Sequence, residues 1–91
     1  MIKVFYDGND EWYAGESKRS VAEFIFEEVG GFDDKTVDEI ELELEELDDA
    51  AMQRYIYDDD EGKELSFAEQ LAILVANKDQ EFPCQFASRD I

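Results

Sequence analysis

Thr36-Val37-Asp38-Glu39-Ile40-Glu41-Leu42-Glu43-Leu44-Glu45-Glu46 satisfies two periodicities at once, and the one it obeys decides the fold. Read as a strand from Asp38, it puts Ile40, Leu42 and Leu44 on one face and Glu39, Glu41, Glu43 and Glu45 on the other. Read as a helix, Thr36 and Glu39 form a capping box, and Val37, Ile40, Leu44, Leu47 and Ala51 fall at heptad spacing. Glu and Leu favour helix, but a helix leaves Leu42 off the apolar stripe. The strand uses all three apolar residues and is the reading taken here. It is followed by a helical turn over 48–52 and a further strand over 54–57. The helical reading of 36–54 stays open.

The flanking segments punctuate more clearly. Residues 1–6 read as a strand, with Ile2, Val4 and Tyr6 on one face and Lys3 and Phe5 on the other. Asp7-Gly8-Asn9-Asp10 is turn chemistry, and Trp12-Tyr13-Ala14 returns as a short hairpin partner. Ser20 with Glu23 suggests a capped helix through Val21, Phe24, Ile25 and Val29, stopped by Gly30-Gly31. Ser66 with Glu69 repeats the box ahead of Phe67, Leu71, Leu74 and Val75. Between Ser66 and Asn77 only Glu69 is charged. A helix this apolar is buried on most sides or sits at a subunit contact. Residues 81–88 read as a last strand, with Phe82, Cys84 and Phe86 alternating, and Pro83 marks its beginning or an edge.

These elements predict a small single α+β domain over 1–91. Two helices, after Ser20 and Ser66, lie on one face of a mainly antiparallel sheet. A weak echo, Phe5-Tyr6-Asp7 before Ser20-Val-Ala-Glu and Ile56-Tyr57-Asp58 before Ser66-Phe-Ala-Glu, suggests a βαββαβ-like order.

Charge is the feature that calls for a cause. The chain of 91 residues has 26 acids, 8 bases and a formal net charge of −18. Well-behaved small domains carry a net charge of about 2–8 in magnitude, and repulsion beyond that opposes compaction. The hydrophobic fraction of 44% and aromatic fraction of 13% exclude a disordered acidic tail. Residues 33–64 carry a net charge of −12, two-thirds of the total. A uniform solubilising coat would spread more evenly.

On a strand, alternate carboxylates stand about 6.6–7 Å apart. Phosphates along one DNA strand lie roughly 6–7 Å apart through space. Glu39, Glu41, Glu43 and Glu45, continued by Glu46, Asp48 and Asp49, would therefore present charge near phosphate spacing. Asp58, Asp59, Asp60 and Glu61 form a second cluster. Trp12 and Tyr13 are the best aromatic contact candidates, because such residues often anchor interfaces.

Other chemistries find no purchase. The chain has no histidine, which removes the commonest general base and metal ligand. The segment from Asp58 lacks the ligand spacing of a calcium loop. Carboxylates in an exposed run have no apolar pocket to raise one pKa. No catalytic residue, metal or cofactor is assigned, and the chain reads as a binding module rather than an enzyme. No stretch resembles a signal peptide or a membrane span. The single cysteine, Cys84, excludes an internal disulfide, and a reducing cytoplasm is the natural setting.

With the Glu39-Ile-Glu-Leu-Glu-Leu-Glu-Glu row, Asp48-Asp49 and Asp58-Asp-Asp-Glu, the chain resembles the small acidic inhibitors of phages and mobile elements. These are anti-CRISPR and anti-restriction proteins of the DNA-mimic kind. The resemblance is one of size, acidity and build over the whole chain, not of a motif. It implies an inhibitor that occupies the nucleic-acid groove of a host defence complex. The partner would be a basic nucleic-acid-binding protein or ribonucleoprotein in the host cytoplasm, with no direct nucleic-acid or membrane binding, and the inhibitor a monomer or homodimer. Such inhibitors also act by steric blocking. The alternative is an immunity or antitoxin-type protein that neutralises a basic toxin nuclease.

Overall fold

The turn at the start of the chain fixes the first hairpin. In a computed structural model of the protein, which describes residues 1–8, 10–29, 35–58, 62 and 64–88, strands β1 (Lys3–Tyr6) and β2 (Glu11–Gly15) pair antiparallel. Gly8 (φ 83°) and Asp10 (φ 63°) adopt the left-handed backbone that Gly and Asp tolerate best. The Asp7 N–H donates to the Glu11 carbonyl at 3.1 Å, and the Glu11 N–H donates back to Asp7 Oδ1 at 3.3 Å. Phe5 lies opposite Tyr13, and Tyr6 opposite Trp12.

Two compact units divide the chain, Met1–Glu46 with Glu81–Ile91, and Leu47–Gln80. The first is built on a four-stranded antiparallel sheet in the order β3-β1-β2-β6, where β3 is Glu45–Glu46 and β6 is Cys84–Ser88. Strand β6 begins one residue after Pro83 and lies at the sheet edge, where a missing N–H is tolerated. Helix α1 (Lys18–Phe24) continues as a π-helical turn over Ile25–Val29, and α2 spans Val37–Glu43. Their inward faces meet the sheet in one core of Phe5, Tyr13, Val21, Ala22, Ile25, Ile40 and Leu44. Strand β2 approaches α1 closely. A Cβ at Gly15 would stand 2.6 Å from Val21 Cγ2, so only glycine fits there.

The second unit holds α3 (Asp49–Arg54), the hairpin of β4 (Ile56–Asp58) and β5 (Glu64–Ser66), and α4 (Phe67–Ala76). Helix α4 packs on this hairpin and on α3. The rings of Tyr55 and Tyr57 meet Phe67 edge-on at 5.4 and 6.5 Å.

The α+β class with mainly antiparallel pairing stands as the alternation predicted. Several details differ. The order β-β-α-α-β-α-β-β-α-β is not βαββαβ: a hairpin precedes each of α1 and α4, and helices α2 and α3 lie between them. The α1 cap is Ser17 rather than Ser20. The Ser17 hydroxyl accepts from the Ser20 N–H, and Ser20 Oγ accepts from the Ser17 N–H, closing the box one turn earlier. The Gly30-Gly31 stop lies outside the described residues. The Ser66–Glu69 box caps α4 as read.

Tyr13 gives the core a measurable signature. Its ring is 1% exposed, and its hydroxyl donates to Glu11 Oε2 at 2.6 Å. Burial first, then this hydrogen bond, then the negative charges of Glu11 and Asp7, push the phenol well above its usual range. The fold therefore favours the protonated phenol. Its stabilising contribution is complete below the unfolded-state pKa of about 10 and is lost as pH rises beyond it. In urea titrations the stability of the protein should fall above about pH 10, and the fall should be shallower in Tyr13→Phe. Parallel curves for the two proteins would show that the phenol does not couple to folding.

Candidate functional site

The acidic row is a helix followed by a short edge strand, which corrects the strand reading of residues 38–46. Thr36 adopts extended backbone and its Oγ1 accepts the Glu39 N–H at 3.3 Å, so the cap starts the turn. Asp38 and Glu39 lie in the first turn, where negative charge complements the helix dipole. Ile40 and Leu44, four residues apart, enter the core together, at 4% and 3% exposure. Leu42 projects from the opposite side and is 85% exposed. The helix thus abandons one leucine to water to gain the i, i+4 pair and the cap.

This geometry redistributes the carboxylates. Glu39 and Glu43 share one face, about 6 Å apart in axial rise. Asp38 and Glu41 share another and converge on Arg19 from α1. The Arg19 guanidinium contacts Asp38 Oδ1 at short range, Glu41 Oε1 at 3.4 Å and Glu23 Oε1 at 3.1 Å. These carboxylates, Asp38 foremost, hold its pKa above the ordinary arginine value. Lys35 Nζ donates to both Glu43 oxygens, at 2.9 and 2.7 Å, and Lys3 reaches Glu46 at 3.1 Å. Among the described residues, Glu39 and Glu45 have no cationic partner. All these ion pairs are exposed, and such pairs contribute little to stability. Nothing in the sequence showed that Arg19 joins α1 to Asp38 and Glu41 of α2.

The other predicted contact residues fare differently. Asp48 serves as the N-cap of α3, its Oδ1 accepting the Ala51 N–H at 2.8 Å, and exposed Asp49 opens that helix. Both belong to the second unit, whereas Glu39–Glu46 belong to the first, so they do not continue the row as one element. Asp58 closes β4. Its side chain and residues Asp59, Asp60 and Glu61 lie outside the described residues. Trp12 and Tyr13 are corrected from surface anchors to core residues, at 9% and 1% exposure. Strand β2 is covered on both faces, so both members of an adjacent aromatic pair are buried. The Trp12 ring also stacks on Tyr6 at 4.9 Å between centroids.

Behind the row lies an open cleft of about 430 Å³ lined by Asp7, Gly8, Ile25, Lys35, Ile40, Glu43 and Leu44. Its lining is mixed, with Ile25, Ile40 and Leu44 apolar and Asp7, Lys35 and Glu43 charged. Among the described residues no group of three or more potential metal ligands converges, and no helix is long and apolar enough to cross a membrane. Comparison with known protein families, curated proteins and solved structures finds no match to this chain.

Proposed function

We propose that this protein is an inhibitor that binds a basic, nucleic-acid-binding host defence complex, of the CRISPR or restriction kind, by presenting carboxylates where the complex receives phosphates. The observation that carries the reading is the concentration of charge. Residues 33–64 hold −12 of a formal −18, and their described carboxylates stand on the protein surface. The outer face of α2 supports it further. Glu39 and Glu43 rise about 6 Å apart, near the 6–7 Å or so between successive phosphates, and Glu45 stands one residue beyond the helix cap. Exposed Leu42 lies among them and supplies an apolar contact that a nucleic acid lacks. The inhibitor works in the host cytoplasm, where such complexes act.

Contacts between exposed charges are screened over a Debye length of about 8 Å at physiological ionic strength. Direct binding to a purified surveillance complex or restriction enzyme should weaken by about tenfold or more between 50 and 200 mM salt. The protein should also displace labelled DNA from that complex. Binding without displacement would replace mimicry by steric blocking. Affinity that ignores salt would place the contact on an apolar face. Binding only to a toxin nuclease would select the immunity-type alternative.

A further inference from the structure

We propose that the outer face of α4 is the surface through which two copies of this chain pair, their helices antiparallel about a two-fold axis near Ile73. The proposal is independent of the inhibitor reading. Helix α4 turns Phe67, Leu71 and Leu74 toward its own hairpin. The side it leaves to solvent is not polar, as an ordinary surface helix would be. Ala72 and Ala76 are exposed there, Ile73 is 56% exposed and Val75 50%. The same unit leaves Ile56 55% exposed.

Charge identifies the occupant. A second copy carries the same net charge of −18, so most of its surface is repelled. From Gln70 to Asn77 the chain has no charged residue at all, which makes α4 the segment where two copies meet without opposing carboxylates. The charges that bracket the helix are complementary under a two-fold. Glu69 stands in the first turn of α4 and Lys78 lies two residues past its end, so antiparallel pairing brings the Glu69 end of one copy against the Lys78 end of the other. One Glu69 oxygen accepts the Ser66 N–H at 3.2 Å, and the other remains for the lysine. Asp79 lies one residue further out, its N–H held by Asn77 Oδ1 at 3.1 Å. Antiparallel helix dipoles add to the pairing. The small side chains of Ala72 and Ala76 let the backbones approach closely.

A contact centred on one ten-residue helix, about 15 Å long, covers less than the ~800 Å² per partner of a standard interface. So small a contact makes a weak, reversible dimer. Sedimentation equilibrium from about 1 to 500 μM should show a monomer–dimer equilibrium over that range. The dimer should strengthen with added salt, which screens the repulsion between the two acidic chains, the opposite sign to that expected for the defence complex. Ile73→Asp buries two unpaired carboxylates at the contact and should weaken pairing by about a hundredfold or more. Its circular dichroism should be unchanged, because the position is exposed. Lys78→Glu should weaken pairing by about fivefold or more. A wild type that is monomeric throughout overturns the proposal and leaves the face to a different protein. So does an Ile73→Asp variant that pairs like the wild type. An unaffected Lys78→Glu overturns the antiparallel register.

Discussion

Ile40→Ala should lower the unfolding free energy by about 2–5 kcal/mol, whereas Leu42→Ala, two residues away, should change it by less than about 0.5 kcal/mol. Ile40 is 4% exposed and belongs to the core formed with Phe5, Tyr13, Val21, Ala22, Ile25 and Leu44, so truncation leaves a cavity in the main core of its unit. Leu42 is 85% exposed and has almost no packing to lose. The first loss is large against the roughly 5–15 kcal/mol that stabilises a typical domain. It falls on the element that carries the acidic row, because Ile40 and Leu44 are the residues that hold α2 down. Urea unfolding of both variants measures the difference. On a strand, positions 40 and 42 would face the same side and lose alike. Equal losses would therefore restore the strand and its alternating carboxylates.

That pair of residues also shows why the fold was only partly legible. Elements with redundant punctuation could be read directly. Ser66 with Glu69 capped α4, Asp7-Gly8 turned the first hairpin, and Pro83 marked the entry to an edge strand. The segment from Thr36 to Glu46 could not be settled, because strict Glu/Leu alternation meets the strand period while Thr36, Ile40 and Leu44 meet the helix period. Counting apolar residues favoured the strand. The helix prevails through terms a pattern count omits, the Thr36 cap, the propensity of Glu and Leu, and a core that needs two side chains and not three.

The α1 start slipped by one turn for a related reason. Ser17 and Ser20 are both good caps, and the reciprocal bond between their own hydroxyls and N–H groups decided between them. Trp12 and Tyr13 misled because alternation normally exposes one of two neighbours, and β2 is buried on both sides. The intramolecular cations were the least visible part of the site. Arg19 and Lys35 neutralise Asp38, Glu41 and Glu43 only because α1 and the segment before α2 are brought alongside the row.

The internal pairing sharpens what charge removal should do. Replacing Glu39, Glu43 and Glu45 together by Gln keeps side-chain size and removes three charges from the outward face of α2 and the adjoining strand. If these groups take the place of phosphates, affinity for the defence complex should fall by about a thousandfold or more, since close interfacial charge pairs couple by about 1.5 kcal/mol or more each. Folding should be unharmed. Glu39 and Glu45 have no cation to lose among the described residues, and Lys35–Glu43 is a surface pair worth at most about 1 kcal/mol. The matching control is Glu16, Glu27 and Glu28 changed to Gln. These are also exposed, lie outside the row and carry the same three charges. A partner that senses only the total field would respond equally to both triples, and the row would then have no special role. A partner that reads the row should respond about a hundredfold more to the first triple than to the second, with both proteins unfolding at the same urea concentration. If neither triple changes binding while Leu42→Asp abolishes it, the contact is the exposed leucine and the carboxylates around it are a solvated face.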